Sequence, residues 1–221
     1  MKYFIIILVL FTNLETQAQE NTTKMTTGFF GVEVKNHLKE IKGTPYLDDN
    51  YSIYTISGAK VNDIKMLRYN HYSDQMEYLD NGVLYDLNKI NKMEIFLKKS
   101  NKKYIYENYF DGSTTEYGFL ELLVSEKNIN LYKKVRVVLS DRIDKKDLTD
   151  VGKVIQEYTP LKPQYFLNIE KEKIISIPQK KTDFINLFDN QLIKEFIKKE
   201  KIQPNKEADL VKLIKYISNL S

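Results

Sequence analysis

Between residues 53 and 139 the chain repeatedly alternates short stretches rich in β-branched and aromatic residues with tight polar turns. Three of the turns are Asp80-Asn81-Gly82, Ser100-Asn101-Lys102 and Asp111-Gly112-Ser113. Asn-Gly and Asp-Gly tolerate the positive φ that short hairpin loops need, so this spacing predicts antiparallel pairing of neighbours in sequence. Residues 51–56, 61–72, 76–79 and 83–87 are the first expected strands. Met93, Ile95 and Leu97 then alternate with Glu94, Phe96 and Lys98. Tyr104, Tyr106 and Phe110 share one face of the next strand, opposite Lys103, Ile105, Glu107 and Tyr109. Residues 117–124 are nearly all apolar, which predicts a central strand covered on both faces. Ile129, Leu131, Val135, Val137 and Leu139 fall on one face of a last long strand. Such a meander closes as an open twisted sheet, a sandwich or a partial barrel.

The flanks differ in period. Residues 28–34 predict a first strand, 36–42 a short helix or turn, and 43–49 a loop. Residues 140–152 are charged and expected as loop. Thr159-Pro160-Leu161-Lys162-Pro163 is the clearest boundary, because each proline disfavours helix in the residue before it. A late hairpin is expected from 165–169 and 173–177 around Glu170-Lys171-Glu172. Thr182 and Asp189 are the expected N-caps of two helices, and Pro204-Asn205 starts a third with Leu210, Leu213, Ile214 and Ile217 on one stripe. The predicted fold class is therefore α+β: an antiparallel β-meander followed by a C-terminal helical hairpin that packs on it. The expected organisation is a leader over 1–18, a flexible tail over 19–27, an antiparallel β domain over 28–158, and the late hairpin with its helices over 159–221.

Lys2, the apolar run 4–11 and the small residues of Thr16-Gln17-Ala18 have the layout of a secretory signal cleaved near Ala18. The run is too short to cross a bilayer, and no later segment is long and apolar enough, so the mature chain is expected in the periplasm or outside the cell without a transmembrane span. Hydrophobic residues at 42% and charged residues at 29% mark a globular rather than disordered chain. The absence of cysteine excludes disulfides, thiolate metal sites, a cysteine nucleophile and a lipidated N-terminal cysteine. The net charge of +4 is spread among interleaved acids and lysines, with only Arg68, Arg136 and Arg142 as arginines, so no nucleic-acid partner is expected.

The usual catalytic patterns are missing. The two histidines, His37 and His71, are far apart, and no serine lies in a Gly-x-Ser-x-Gly elbow. Asp48-Asp49 and the series Asp141, Asp144, Asp147 invite calcium or glycosidase readings. But residues 141–147 hold lysines at 145 and 146 and no glycine, which favours a solvated loop, and a chain with 30 acids always offers carboxylate pairs. The eight glycines form no phosphate loop, and no cofactor is implied. The 16 tyrosines are the one unusual count. Tyr69, Tyr72, Tyr78, Tyr104, Tyr106 and Tyr109 are the candidate ligand-binding row, since an exposed tyrosine stacks on sugars or peptides while its hydroxyl bonds to them. The competing and favoured reading is that tyrosine fills half-buried sheet positions, where its β-propensity is high.

Gly43-Thr44-Pro45-Tyr46-Leu47, Leu67-Arg68-Tyr69-Asn70 with Met76-Glu77, and Tyr117-Gly118-Phe119-Leu120-Glu121-Leu122-Leu123 together resemble a group of small exported proteins of flavobacterium-type bacteria with no assigned activity. Leu131-Tyr132-Lys133-Lys134 and Glu207-Ala208-Asp209-Leu210-Val211-Lys212-Leu213 extend the resemblance over most of the mature chain. It implies export and a non-enzymatic character, and it assigns no site residues. The expected function is a non-enzymatic envelope protein, a binding or structural module with a protein, glycan or lipid partner. The alternatives are a periplasmic lipid or lipoprotein carrier, in which a curved sheet holds an acyl chain against the helices, and a hydrolase using His71 or an acidic pair.

Overall fold

A computed structural model describes residues 32–33, 41–58, 64, 66–145, 151, 153–169 and 173–220. The expected leader, the tail, His37 and Asp147 lie outside these residues. In chain order the elements are β1 (Val32–Glu33), β2 (Tyr54–Ser57), β3 (Arg68–Asn70), β4 (Gln75–Asp80), β5 (Val83–Asp86), β6 (Met93–Leu97) and β7 (Lys102–Phe110). They continue as β8 (Thr115–Glu126), β9 (Ile129–Lys134), β10 (Val137–Asp144), β11 (Lys153–Pro160), β12 (Gln164–Ile169), β13 (Ile174–Ser176), α1 (Lys181–Ile185), α2 (Gln191–Lys199) and α3 (Glu207–Leu220). The molecule is α+β, mostly antiparallel, with a partial barrel and a helical C-terminus.

The turns form where the sequence places them. Asn81 and Gly82 take φ of 50° and 81° and join β4 to β5, Asn101 at 55° joins β6 to β7, and Gly112 at 107° lies between β7 and β8. The strands order as β13-β12-β9-β8-β7-β6-β2, and β13 also pairs parallel to β7 through Ile174↔Tyr109 and Ile175↔Phe110. That contact closes β7, β8, β9, β12 and β13 into a ring. The late hairpin thus supplies two staves of the barrel.

Because side chains alternate along a strand, the ring separates an inside from an outside. Tyr109, Leu120, Tyr132, Phe166 and Ile174 fill the inside, with Ile105 and Leu122 packed against them. On one outer flank the small sheet β1-β5-β4-β3 folds over β6 and β7, burying Leu67, Met76, Met93, Ile95, Tyr104 and Phe119. On the other flank the three helices bury Phe184, Ile197, Leu210, Leu213 and Ile214 against Ile129, Leu131, Tyr165 and Leu167. The nearly unbroken apolar run of β8 follows from this double covering. A register shift between Leu122 and Val124 turns Leu123 and Val124 toward the helices, whereas Leu120 and Leu122 pack inside the barrel.

Several expectations are corrected. The long strand over 129–139 is two strands: β9 ends at Lys134 and pairs with β12, whereas β10 starts at Val137 and pairs with β11. Residues 140–144, expected as loop, continue β10 in a ribbon with β11 from Val137↔Pro160 to Asp144↔Lys153. The ribbon leaves Ile143 and Val154 exposed as a facing pair, so its charged alternation reflects solvent on both faces. Pro160 ends β11, where the ladder no longer needs its missing N–H. Lys42, in the expected helix or turn over 36–42, instead bridges β11. Asn190, not Asp189, caps α2 by accepting from the N–H groups of Leu192 and Ile193, and α1 starts at Lys181 without a side-chain cap. Among the described residues no helix is long and apolar enough to cross a membrane.

Candidate functional site

The candidate tyrosines do not form a row. Tyr69, Tyr78, Tyr104 and Tyr109 are buried, Tyr106 is half-buried, and Tyr72, 50% exposed, meets Tyr158 edge to face. Tyr69, Tyr104 and Tyr106 cluster with Phe119 under the small sheet, Tyr78 stacks on Tyr85, and Tyr109 packs edge to face on Phe166 inside the barrel. Burial drives the hydroxyls of Tyr69, Tyr104 and Tyr109 well above their ordinary pKa, so they act as neutral packing groups with a polar handle.

The hydroxyl of Tyr69 leads to an ionic latch. It donates a short hydrogen bond to the Asp74 carboxylate, which also accepts from the Phe119 N–H at 3.3 Å and from Lys134 Nζ at 3.0 Å. Lys134, with a side chain 4% exposed, donates further to the Phe119 carbonyl at 3.0 Å. Burial lowers its pKa, against the pull of Asp74. A Cβ on Gly118 would come within 2.6 Å of Lys134 Nζ and collide with the Asp74 carboxylate, so a side chain there would push the latch groups aside. Beside the latch Arg136 pairs with Glu116 and donates to the Tyr109 hydroxyl at 3.2 Å. A recess of about 350 Å³ opens over Lys134, Arg136, His71 and Tyr117.

His71 is buried, its Nδ1 accepts the Leu47 N–H at 3.4 Å, and burial, followed by the charge of Lys102, holds its pKa down at about 4. A second polar row crosses the small sheet, with Arg68 paired to Glu77 at 3.2 Å and its guanidinium 3.5 Å over the Tyr46 ring. The Tyr46 hydroxyl donates to Glu77 at 2.7 Å, which pins the 43–49 loop to the sheet. Asp86, opposite Glu77 in the ladder, has a buried Oδ1 with no hydrogen-bond partner, and burial, then Glu77, raises its pKa to about 6. Among the described residues the acidic candidates do not converge: Asp48 binds Asn50, and Asp144 pairs with Lys42 at 2.7 Å. Among the described residues no group of His, Asp and Glu could hold a metal ion.

A cavity lies between barrel and helices. It measures about 880 Å³. Its floor is Ile129 of β9, Leu167 and Ile169 of β12 and Ile175 of β13, and its roof is Leu187, Phe188, Ile193 of α2 and Ile217 of α3. Lys173, Asp189 and Asn190 supply the polar edge, and the Asn190 side chain is already committed to capping α2. α1 stops at Ile185, and the non-helical turn to α2 sets Leu187 and Phe188 in the cavity wall. A volume of this size with few polar groups is typical of small-molecule sites. The apolar periodicity of the helices was legible in the sequence, but a cavity depends on where each helix stops and lands, and that was not.

Comparison with protein-family models, with curated proteins and with solved structures finds no match to this chain.

Proposed function

We propose that this chain is a non-enzymatic, exported binding module that carries an apolar chain, such as a lipid acyl group, in the cleft between the barrel and its helices. The observation that carries the reading is the cleft of about 880 Å³, walled by isoleucine, leucine and phenylalanine on both sides. Burying apolar surface there gains roughly 25 cal/mol per Å², with no buried polar group to desolvate beyond the edge. Export rests on the leader-like start of the sequence. Burial of four of the six candidate tyrosines removes support for a flat sugar- or peptide-binding face. His71 is buried and its Nδ1 is already taken by the Leu47 N–H, which gives a hydrolase reading no support.

The test is uptake of N-phenylnaphthylamine by the purified chain, whose lack of tryptophan gives a clean background. Saturable fluorescence enhancement, displaced by dodecanoic acid and abolished in an Ile193→Phe/Leu187→Phe variant that still melts cooperatively, is the expected result. Absence of saturable uptake in the unaltered chain sinks the proposal.

A further inference from the structure

Among the described strands β10 and β11 pair only with each other, and the two outer edges of their ribbon differ. On the β11 side Lys42 donates to the Gln156 carbonyl and accepts from the Tyr158 N–H. On the β10 side, among the described residues, the backbone bonds outward only at its base, from the Val137 N–H to the His71 carbonyl at 3.1 Å. Residues 138–144 hold no proline, no lysine and no bulge, the devices that commonly guard a sheet edge.

The charges this edge does carry are ordered. About Ile143 the sequence is antisymmetric in sign, with Asp141-Arg142 before it and Asp144-Lys145 after it. In antiparallel pairing with a second copy about this residue, Ile143 faces Ile143. Arg142 then faces Asp144 of the second copy and Asp141 faces Lys145, and symmetry repeats each pair. Moving the axis to Arg142 or to Asp144 sets that residue against its own copy, like charge on like, so the register is specified. Val154 faces Ile143 across the ribbon, and at 64% and 58% exposed the two would continue into their copies as one apolar stripe. Within the chain Arg142 donates to Glu157 at 2.6 Å and Asp144 accepts from Lys42 at 2.7 Å. A guanidinium has further N–H donors and a carboxylate further lone pairs, so each takes a second partner without giving up the first. We infer that the β10 edge is a self-association surface, on which two copies of this chain join their ribbons antiparallel about Ile143 into one four-stranded sheet. So small an interface makes a dimer in exchange with monomer, and it does not depend on the cleft.

The lack of cysteine gives a direct test of the register. Directly opposed residues have Cα atoms about 4.5–5.5 Å apart, which a disulfide can span. Under copper–phenanthroline oxidation Ile143→Cys is expected to link at least about tenfold faster than Ser140→Cys, whose two copies would lie about 20 Å apart. In sedimentation velocity over a concentration series, Arg142→Asp should weaken the dimer about tenfold by setting acid against acid. The exchange Arg142→Asp/Asp144→Arg should restore it. Within one chain that exchange opposes Glu157 and Lys42, so charges that served only their own ribbon would give no recovery. A chain that stays monomeric throughout, equal linking at positions 143 and 140, or a double variant no tighter than Arg142→Asp overturns the proposal.

Discussion

The two coverings of the barrel are built on different terms. Under the small sheet, aromatic rings and an ionic latch occupy the space, and Gly118 lies so close to Asp74 and Lys134 that a methyl group there would displace them. Under the helices the contacts are mostly aliphatic, and a cleft remains between the helices and the strands. The contrast is physical. A layer fastened by directional bonds between buried charges must meet its partner closely, because each unmet donor or acceptor costs about 1–3 kcal/mol. An apolar layer has no such obligation and can stand off from the sheet, losing only contacts.

The largest effect that separates the two sides should come from the latch. Asp74→Ala leaves the Lys134 ammonium buried beside a single carbonyl, and is expected to cost about 3–5 kcal/mol in urea unfolding. Asp74→Ala combined with Lys134→Met should recover part of that loss, because the uncompensated charge is gone. A fully additive double variant would show that the latch carries no coupling, and the contrast would fail.

A pair of equal enlargements tests packing directly. Leu120→Phe, in the filled barrel interior, should cost about 1–3 kcal/mol by overpacking. Ile193→Phe, growing into the cleft, should stay within about 1 kcal/mol of the unaltered chain. Equal losses at the two positions would mean that the cleft is no roomier than the interior.

The smallest effect is pH-dependent, and both groups concerned lie on the sheet side. Burial raises Asp86 from 3.8 to about 6, so the folded state binds the extra proton between those values. Its destabilising charge appears as pH rises through about 6. Asp86→Asn should therefore stabilise the fold by about 1–2 kcal/mol at pH 7, after allowance for solvent screening, with no gain near pH 4. His71 runs the other way. Its fall from 6.5 to about 4 means that the unfolded chain binds the extra proton, so stability drops as pH falls between those values. With Asp86 removed, the melting temperature should decline more steeply from pH 6.5 to 4 than in the unaltered chain. A gain from Asp86→Asn that persisted at pH 4 would refute the burial argument.

Legibility in the sequence followed locality. The turns at Asn81-Gly82 and Asn101 were readable because positive φ is a property of a few adjacent residues. The double-faced burial of β8 was readable from its apolar run. A missed signal was Gly118 itself: a glycine inside such a run marks a close approach, here by Asp74 and Lys134. The charged stretch over 140–144 misled, since a ribbon wet on both faces has the composition of a loop. The tyrosine row also failed as a surface, because alternation places Tyr104 and Tyr109 on opposite faces of β7 and both faces are covered.

What the sequence determined alone was the antiparallel order of neighbouring strands, the helical stripes at the C-terminus and the lack of thiol chemistry, all set by residues within a few positions of one another. Tertiary structure decided the parallel closure of β13 on β7, the partnership of Asp74 with a lysine 60 positions away, and the cleft beneath the helices. Those depend on how distant surfaces meet, and in a short window nothing encodes the space that two layers leave between them.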